Sequence, residues 1–218
     1  LCQRGSGVAK GLVYYSGRPE YHEMGLVAHL LRPGDRFADV GANAGAYTLW
    51  ARRCVGDGGR VLAVEPDPEM RRRLEFNLRS NGIGNVEVCP VALSDRDGEG
   101  ELLINPRQRG QNTLADDEAA RAGGPRVAQR VKLLPLSDLL AQRGVVQVDA
   151  LKIDIEGHEP PVLTHFFAHA PRGLWPALAI TEYKPSTAAL IEELFTSRGY
   201  RRVLANRGNL AFRLEAMR

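Results

Sequence analysis

The sequence predicts an α/β protein built on a mostly parallel sheet with helices on both faces, and three observations carry that expectation. Short apolar strands alternate with helical segments along most of the 218 residues, and right-handed crossovers between such elements generate parallel strands. The first strand runs straight into a glycine-bounded turn, Gly41-Ala42-Asn43-Ala44-Gly45, with a helical segment behind it. The chain closes on two strand patterns, YRRVLA and NLAFRL, joined by Asn206-Arg207-Gly208, which reads as an antiparallel hairpin.

Each element follows from local pattern. Residues 19–31, PEYHEMGLVAHLL, read as a helix ended by Pro33-Gly34-Asp35. FADV then forms the first strand, and YTLWARRC carries helical spacing. After the turn signal GDGG at 56–59 comes the strand 60–66, then a helix opening at Pro68 with Met70, Leu74 and Leu78 on one stripe and Gly82 at its end. NVEVCPVAL (85–93) and ELLIN (101–105) read as further strands of the same series. RVAQRVKLLPL (126–136) alternates as a strand does, and Ser137-Asp138 is the expected N-cap of a short helix through Gln142. VDALKIDIEG (148–157) is a buried strand ending in acids, followed by a helix opening on prolines. ALAITEY (177–183) is the next strand, and TAALIEELFTSRG places Leu190, Ile191, Leu194 and Phe195 on one helical face.

Composition excludes several classes. The chain is 44% hydrophobic and 25% charged, as folded globular domains are. Its cysteines, Cys2, Cys54 and Cys89, are odd in number and widely spaced, which suggests neither a disulfide framework nor a zinc site and fits a reducing, cytoplasmic setting. No apolar run approaches the roughly 18–20 residues of a membrane span. The start lacks the apolar core of a signal peptide, although opening on Leu1 rather than Met leaves a leader undecided. Only 4 of the 29 basic residues are lysine, and arginine favours phosphate. Yet 26 acids nearly cancel the charge to +3, and Arg71-Arg72-Arg73 sits on a helix that begins with acids and lacks interleaved aromatics. A solvated helix face is the simpler reading. With no repeat, linker or second core, the chain divides into an N-terminal extension over 1–35 and one domain over 36–218.

In an open α/β sheet, ligands bind at the carboxyl ends of the strands near the topological switch point. Gly41 and Gly45 let the backbone turn sharply and admit a ligand near the next helix. The turn is not G-x-G-x-x-G, since Asn43 takes the second glycine's place and Ala46 the third's. Asp39 before it suits a cationic ligand and repels a pyrophosphate. The pattern therefore points away from a dinucleotide and toward the amino-acid end of S-adenosylmethionine. Glu65, 24 residues after Gly41, suits a carboxylate that accepts from both ribose hydroxyls of an adenosine, a role NAD would also satisfy. Ala92, Leu93 and Ser94 end the next strand, where small apolar side chains are expected against an adenine.

Together DVGANAGAYTLWA, GRVLAVEPDPEMRRRLEFNLRSNG, NVEVCPVALSD and LKIDIEGHEPPVL resemble the FkbM family of S-adenosylmethionine-dependent methyltransferases, over roughly residues 8 to 214. The resemblance implies a class I, Rossmann-like methyltransferase fold with a seven-stranded sheet and an antiparallel C-terminal hairpin. It implies O-methylation of a hydroxyl on a small molecule such as a polyketide, a sugar or another secondary metabolite. It also implies that Asp39, Gly41, Asn43 and Gly45 hold the methionine end, Glu65 the ribose, and Ala92 to Ser94 the adenine.

Methyl transfer to an alcohol needs a group that removes the hydroxyl proton. Residues two apart on a strand share a face, so Asp154 and Glu156 are expected to enter one cleft, with His158 continuing if the strand extends. His158 suits a general base near neutral pH; Glu156 is the alternative base or an orienting partner. Asp154 is expected to face the cofactor. A contrary reading makes His158 and Glu159 a helix N-terminus. Asp154 and Glu156 would also suit Mg²⁺, but no further acid is evidently placed to complete the shell, and no metal is expected. Glu182 should rim the cleft as a substrate contact. Residues 106–125 form a long irregular segment, expected to be a lid or substrate loop with Asn112 and Thr113 facing the acceptor. The alternatives are an NAD-dependent oxidoreductase and a nucleic-acid methyltransferase or binder. The missing central glycine and Asp39 weigh against the first. The absence of an Asn/Asp-Pro-Pro-aromatic run at Asp154 weighs against base methylation.

Overall fold

The computed structural model describes residues 22–115, 125–206 and 208–215. The expected 1–35 extension is therefore seen only from His22, residues 116–124 of the expected lid and Arg207 of the terminal turn lie outside the described residues, and so does Cys2. Cys54 and Cys89 are free thiols.

Six α-helices and eleven strands are described. The helices are α1 (His22–Leu30), α2 (Ala46–Val55), α3 (Pro68–Ser80), α4 (Leu136–Gln142), α5 (Glu159–His169) and α6 (Ala188–Thr196). The main sheet has the order β10-β11-β9-β8-β1-β2-β3. Its members are β1 (Arg36–Val40), β2 (Arg60–Val64), β3 (Val86–Cys89), β8 (Ala150–Ile153), β9 (Leu178–Glu182), β10 (Tyr200–Ala205) and β11 (Asn209–Leu214). Only β11 runs against the rest, antiparallel to both β9 and β10. This is the seven-stranded, mostly parallel sheet with a terminal hairpin that the sequence predicted.

Strand alternation sends successive side chains to opposite faces. Phe37 and Val61 pack with Val27, Ala51 and Val55 from α1 and α2, and Ala63 packs with Leu74 and Leu78 from α3. Ala38, Val40, Leu62 and Leu151 face the other way, against Leu139, Leu163, Phe166 and Phe195 of α4 to α6. Fully burying each large apolar side chain contributes about 1.5–3 kcal/mol. Because β1 lies between β2 and β8, the chain leaves it in one direction and later returns on its other side. That reversal opens a crevice at the carboxyl ends of β1 and β8.

The structure corrects five local expectations. The stretch 85–93 is two strands, broken at Pro90: β3 stays in the main sheet, whereas β4 (Ala92–Leu93) joins a second sheet ordered β4-β7-β5-β6. In it β5 (Gly98–Ile104) pairs antiparallel with β6 (Thr113–Leu114) and β7 (Val127–Leu134), around a small core of its own that includes Leu102, Ile104 and Leu133. The turn 95–97 is too short for a parallel crossover, so 101–105 does not extend the β/α series. Helix α4 starts at Leu136, ahead of Ser137-Asp138, with Pro135 at its N-cap and no side-chain cap. On α6, Leu190 is 50% exposed while Ile191, Leu194 and Phe195 are buried. Finally, β8 stops at Ile153. Among the described residues no helix is long and apolar enough to cross a membrane.

Candidate active site

A cavity of about 810 Å³ opens at the carboxyl ends of β1, β2, β8 and β9. Residues 41–44 of the glycine turn border it, whereas Gly45 does not. Gly41 has φ +76°, and a Cβ there would lie 1.9 Å from the Asp154 carbonyl oxygen, so no side chain fits between β1 and β8 at this level. Gly45 has φ +95°, and its Cβ would meet Leu74 Cδ1 at 2.4 Å, which lets α2 begin hard against α3. Asn43, also at positive φ, closes on itself: its Oδ1 accepts from the Ala44 N–H at 2.8 Å.

Asp39 is fully buried beneath this turn. The Thr48 hydroxyl donates to its Oδ2 at 2.5 Å, while Oδ1 has no hydrogen-bond partner among the described residues. Burial pushes its pKa up, an effect that Lys152 opposes. Lys152 lies beside it in register across β1 and β8. The Lys152 ammonium is 3.2 Å from Asp154 Oδ2 and 3.3 Å from the Gly41 carbonyl oxygen, and 5.3 Å from the Tyr47 ring centroid. Burial works against its charge, but Asp154 and Asp39 outweigh it and hold the lysine pKa above the ordinary value.

Glu65 follows β2 and is buried, with burial pushing its carboxyl up to about 7. Its Oε2 accepts from the Asn43 N–H and its Oε1 from the Asp67 N–H, each at 2.8 Å. A carboxylate offers about four acceptor positions, so two bonds leave capacity toward the cavity it lines. Ala92 and Leu93 border the cavity beyond it. Ser94 does not: it is fully buried, with its hydroxyl donating to Asp95 and 3.2 Å from His158 Nε2.

The acidic end of β8 departs from the strand logic. Beyond Ile153 the chain turns, and Glu156 takes φ +59°, so no extended strand carries 154, 156 and 158 on one face. The turn instead swings Glu156 back beside Asp154. Glu182, at the end of β9, joins them, and one carboxylate oxygen from each of the three lies within 4.8 Å of the others. The third acid missing from the sequence reading is thus supplied by the neighbouring strand, and such a trio has the spacing of a divalent-cation shell. Burial, reinforced by the neighbouring carboxylates, pushes Glu156 up to about 7 and Glu182 up to about 8. Glu182 Oε2 has no hydrogen-bond partner among the described residues. Lys184 donates to the Glu156 carbonyl oxygen at 2.7 Å and holds the turn from below.

His158 is the N-cap residue of α5, buried and bordering the cavity. Glu159, buried beside it, accepts from the Ile155 and Gly157 N–H groups at 2.7 and 3.0 Å, as a helix-start carboxylate does.

The segment 106–114 borders the opposite side of the cavity. Arg109 Nη1 donates to both oxygens of the buried Asp67, at 2.9 and 2.8 Å, and Asn112 Nδ2 donates to Oδ2 at 2.8 Å. Asn112 Oδ1 accepts from the Asn105 N–H, so both ends of that side chain serve the protein. Thr113 is buried in β6 and also borders the cavity. Sequence reasoning missed Lys152, Asp67 and Arg109. The signal for Lys152 was a lysine inside an apolar strand, where an unpaired charge is not tolerated.

A model of the methyltransferase FkbM domain matches residues 39–202. The chain is 30% identical over 197 residues to the 31-O-demethyl-FK506 methyltransferase FkbM of Streptomyces tacrolimicus, covering 78% of this chain and 73% of that protein. It is 31% identical over 150 residues to the methyltransferase sdnD of Sordaria araneosa, covering 57% and 58% of the two chains. Among solved structures, the methyltransferase FkbM of Methylobacillus flagellatus superposes with a TM-score of 0.54 at 17% identity, over 94% of this chain and 52% of that one. An rRNA methylase from Streptococcus thermophilus shares the fold at 0.52 and 12% identity, over 91% and 98%. Sequence, sheet order and the glycine turn agree, and the chain belongs to the FkbM family of S-adenosylmethionine-dependent methyltransferases.

Proposed function

We propose that this chain methylates a hydroxyl oxygen of a small organic acceptor, and that the acids at the ends of β8 and β9 receive the hydroxyl proton. The observation that carries this reading is the convergence of Asp154, Glu156 and Glu182 on one wall of the cavity, with two of the three carboxyls poised near neutrality. A general base works best when its pKa lies near the working pH.

The residues present fit the family's cofactor. The unpartnered, buried Asp39 Oδ1 offers an acceptor to an ammonium group. Gly41, with no Cβ to strike the Asp154 carbonyl oxygen, lets the turn form at the cavity edge, Glu65 retains acceptor capacity for ribose hydroxyls, and Ala92 with Leu93 offers an apolar surface to an adenine. When bound, S-adenosylmethionine supplies an electrophilic methyl group on a cationic sulfur. Asp154, paired with Lys152, places a carboxylate that complements positive charge at this end of the cavity. Glu182, with one oxygen unengaged, takes the proton as the acceptor oxygen forms its new bond; Glu156 stands beside it as second acceptor. His158, tied to Ser94, orients the base of α5 against the second sheet. The Streptomyces relative is a 31-O-demethyl-FK506 methyltransferase, which supports an oxygen acceptor. The rRNA methylase shares only the fold, and we assign no nucleic-acid partner.

The test is a panel of hydroxylated metabolites, amines and RNA incubated with cofactor labelled in its methyl group. A methyl ether, identified by its carbon shift, is expected, with Glu182→Gln lowering kcat about 10²-fold or more while binding of S-adenosylhomocysteine persists. Label found on nitrogen or in RNA overturns the reading.

A further inference from the structure

We propose that Lys152 is the anchor for the cofactor's α-carboxylate, so that this lysine and Asp39 together read the zwitterionic end of the methionine moiety. The inference rests on the family's cofactor and not on the identity of the acceptor.

A zwitterion needs an acceptor for its ammonium and a cation for its carboxylate, placed side by side. Asp39 and Lys152 are register partners on adjacent parallel strands, and both side chains border the cavity beneath the glycine turn. Asp39 brings an unpartnered, fully buried carboxylate oxygen. Lys152, a residue only 6% exposed, brings an ammonium with three N–H donors. Two contacts, with Asp154 Oδ2 and the Gly41 carbonyl oxygen, hold its Nζ at the level of the turn. The other cations bordering the cavity stand elsewhere: Arg73 pairs with Glu69, Arg109 with Asp67, and Arg107 belongs to the 106–114 segment. Lys152 is therefore the cation beside Asp39, and a buried lysine facing a ligand cavity costs desolvation that a ligand carboxylate offsets.

The alternative is that Lys152 only balances Asp39 and Asp154. The two roles separate by a ligand that lacks the carboxylate. Calorimetry on the full chain would compare S-adenosylhomocysteine with its decarboxylated analogue, a thioether ending in a primary amine. The intact chain should prefer S-adenosylhomocysteine by at least about tenfold, the worth of one charge-assisted hydrogen bond. Lys152→Met should bring that ratio to about threefold or less, and Lys152→Arg should restore part of it. Equal binding of the two ligands by the intact chain overturns the proposal without any variant, as does a ratio that stays near tenfold in Lys152→Met. Failure of S-adenosylhomocysteine itself to bind the intact chain would instead overturn the cofactor assignment. The readout is affinity, so it is unaffected by which acceptor the enzyme uses.

Discussion

Arg109 grips Asp67 through both carboxylate oxygens, at 2.9 and 2.8 Å. Asp67 is fully buried, caps α3 by accepting from the Glu69 N–H, and donates its own N–H to Glu65. One ion pair thus ties the 106–114 segment to the loop that carries Glu65. The segment expected to be a substrate lid is clasped, through its described part, to the Glu65 side of the cavity. Replacing Arg109 by alanine leaves a buried carboxylate short of its cation, with a cost of about 2 kcal/mol in unfolding free energy. Denaturant titration measures that, and tighter proteolytic protection of the segment by S-adenosylhomocysteine should weaken in the variant. An unchanged cleavage rate would dissociate the clasp from the site.

Gly41→Ala should weaken cofactor binding in a chain that still folds. The added methyl meets the Asp154 carbonyl oxygen at 1.9 Å and forces an alanine to φ +76°, a backbone strain of roughly 1–3 kcal/mol. Calorimetry with S-adenosylhomocysteine should show affinity lowered more than about tenfold. Wild-type affinity would mean the ligand does not approach this turn.

Glu65 should make cofactor affinity depend on pH. Its carboxyl sits at about 7 because it is buried, and the ionised form is the one that accepts ribose hydroxyls. Affinity for S-adenosylhomocysteine should therefore rise from pH 6 to pH 8 and level off above, and Glu65→Gln should both weaken binding and flatten the curve. A profile indifferent to pH in the unaltered chain removes the ribose role.

Stability should move the other way. Glu65, Glu156 and Glu182 hold protons in the folded chain up to about 7, 7 and 8, against 4.5 for an ordinary glutamate. Between those limits the folded state binds more protons than the unfolded one, so stability falls as pH rises from about 5 to 8. Thermal melts of the ligand-free protein should show Tm decreasing across this window, less steeply in Glu182→Gln. A Tm that climbs with pH here contradicts the burial of these groups.

The proton-acceptor role also predicts indifference to chelation. Turnover should persist in EDTA and gain nothing from added Mg²⁺. Loss in EDTA with recovery on Mg²⁺ would reassign Asp154, Glu156 and Glu182 as a cation shell, for which their oxygens have the spacing.

Much of this was written locally. The 3.6-residue stripe of α3, the glycines of the 41–45 turn and the terminal hairpin are short-range features, determined by residues a few positions apart, and each appears where the sequence places it. So do Asp39 and Glu65, because they sit at strand ends whose order follows from alternating β and α elements; Ala92 and Leu93 reach the cavity from β4 of the second sheet, which that alternation does not give. The strand argument for the acids failed at one residue: Glu156 adopts a left-handed backbone that period-two alternation does not foresee. Pairing of 98–104 with 127–134 in a separate sheet was equally invisible, because register between distant segments leaves no local mark.

By itself, then, the sequence determined the family, the fold and the strand-end positions of Asp39 and Glu65, since these rest on motif order, periodicity and turn chemistry. Only the tertiary structure decided which charges meet. It brought Glu182 to Asp154 and Glu156 by laying β9 beside β8, set Lys152 against Asp39 across β1, and clasped Arg109 to Asp67 over 42 residues. Electrostatic pairing depends on distance in space through the buried sheet, and that distance is a property of the assembled strands.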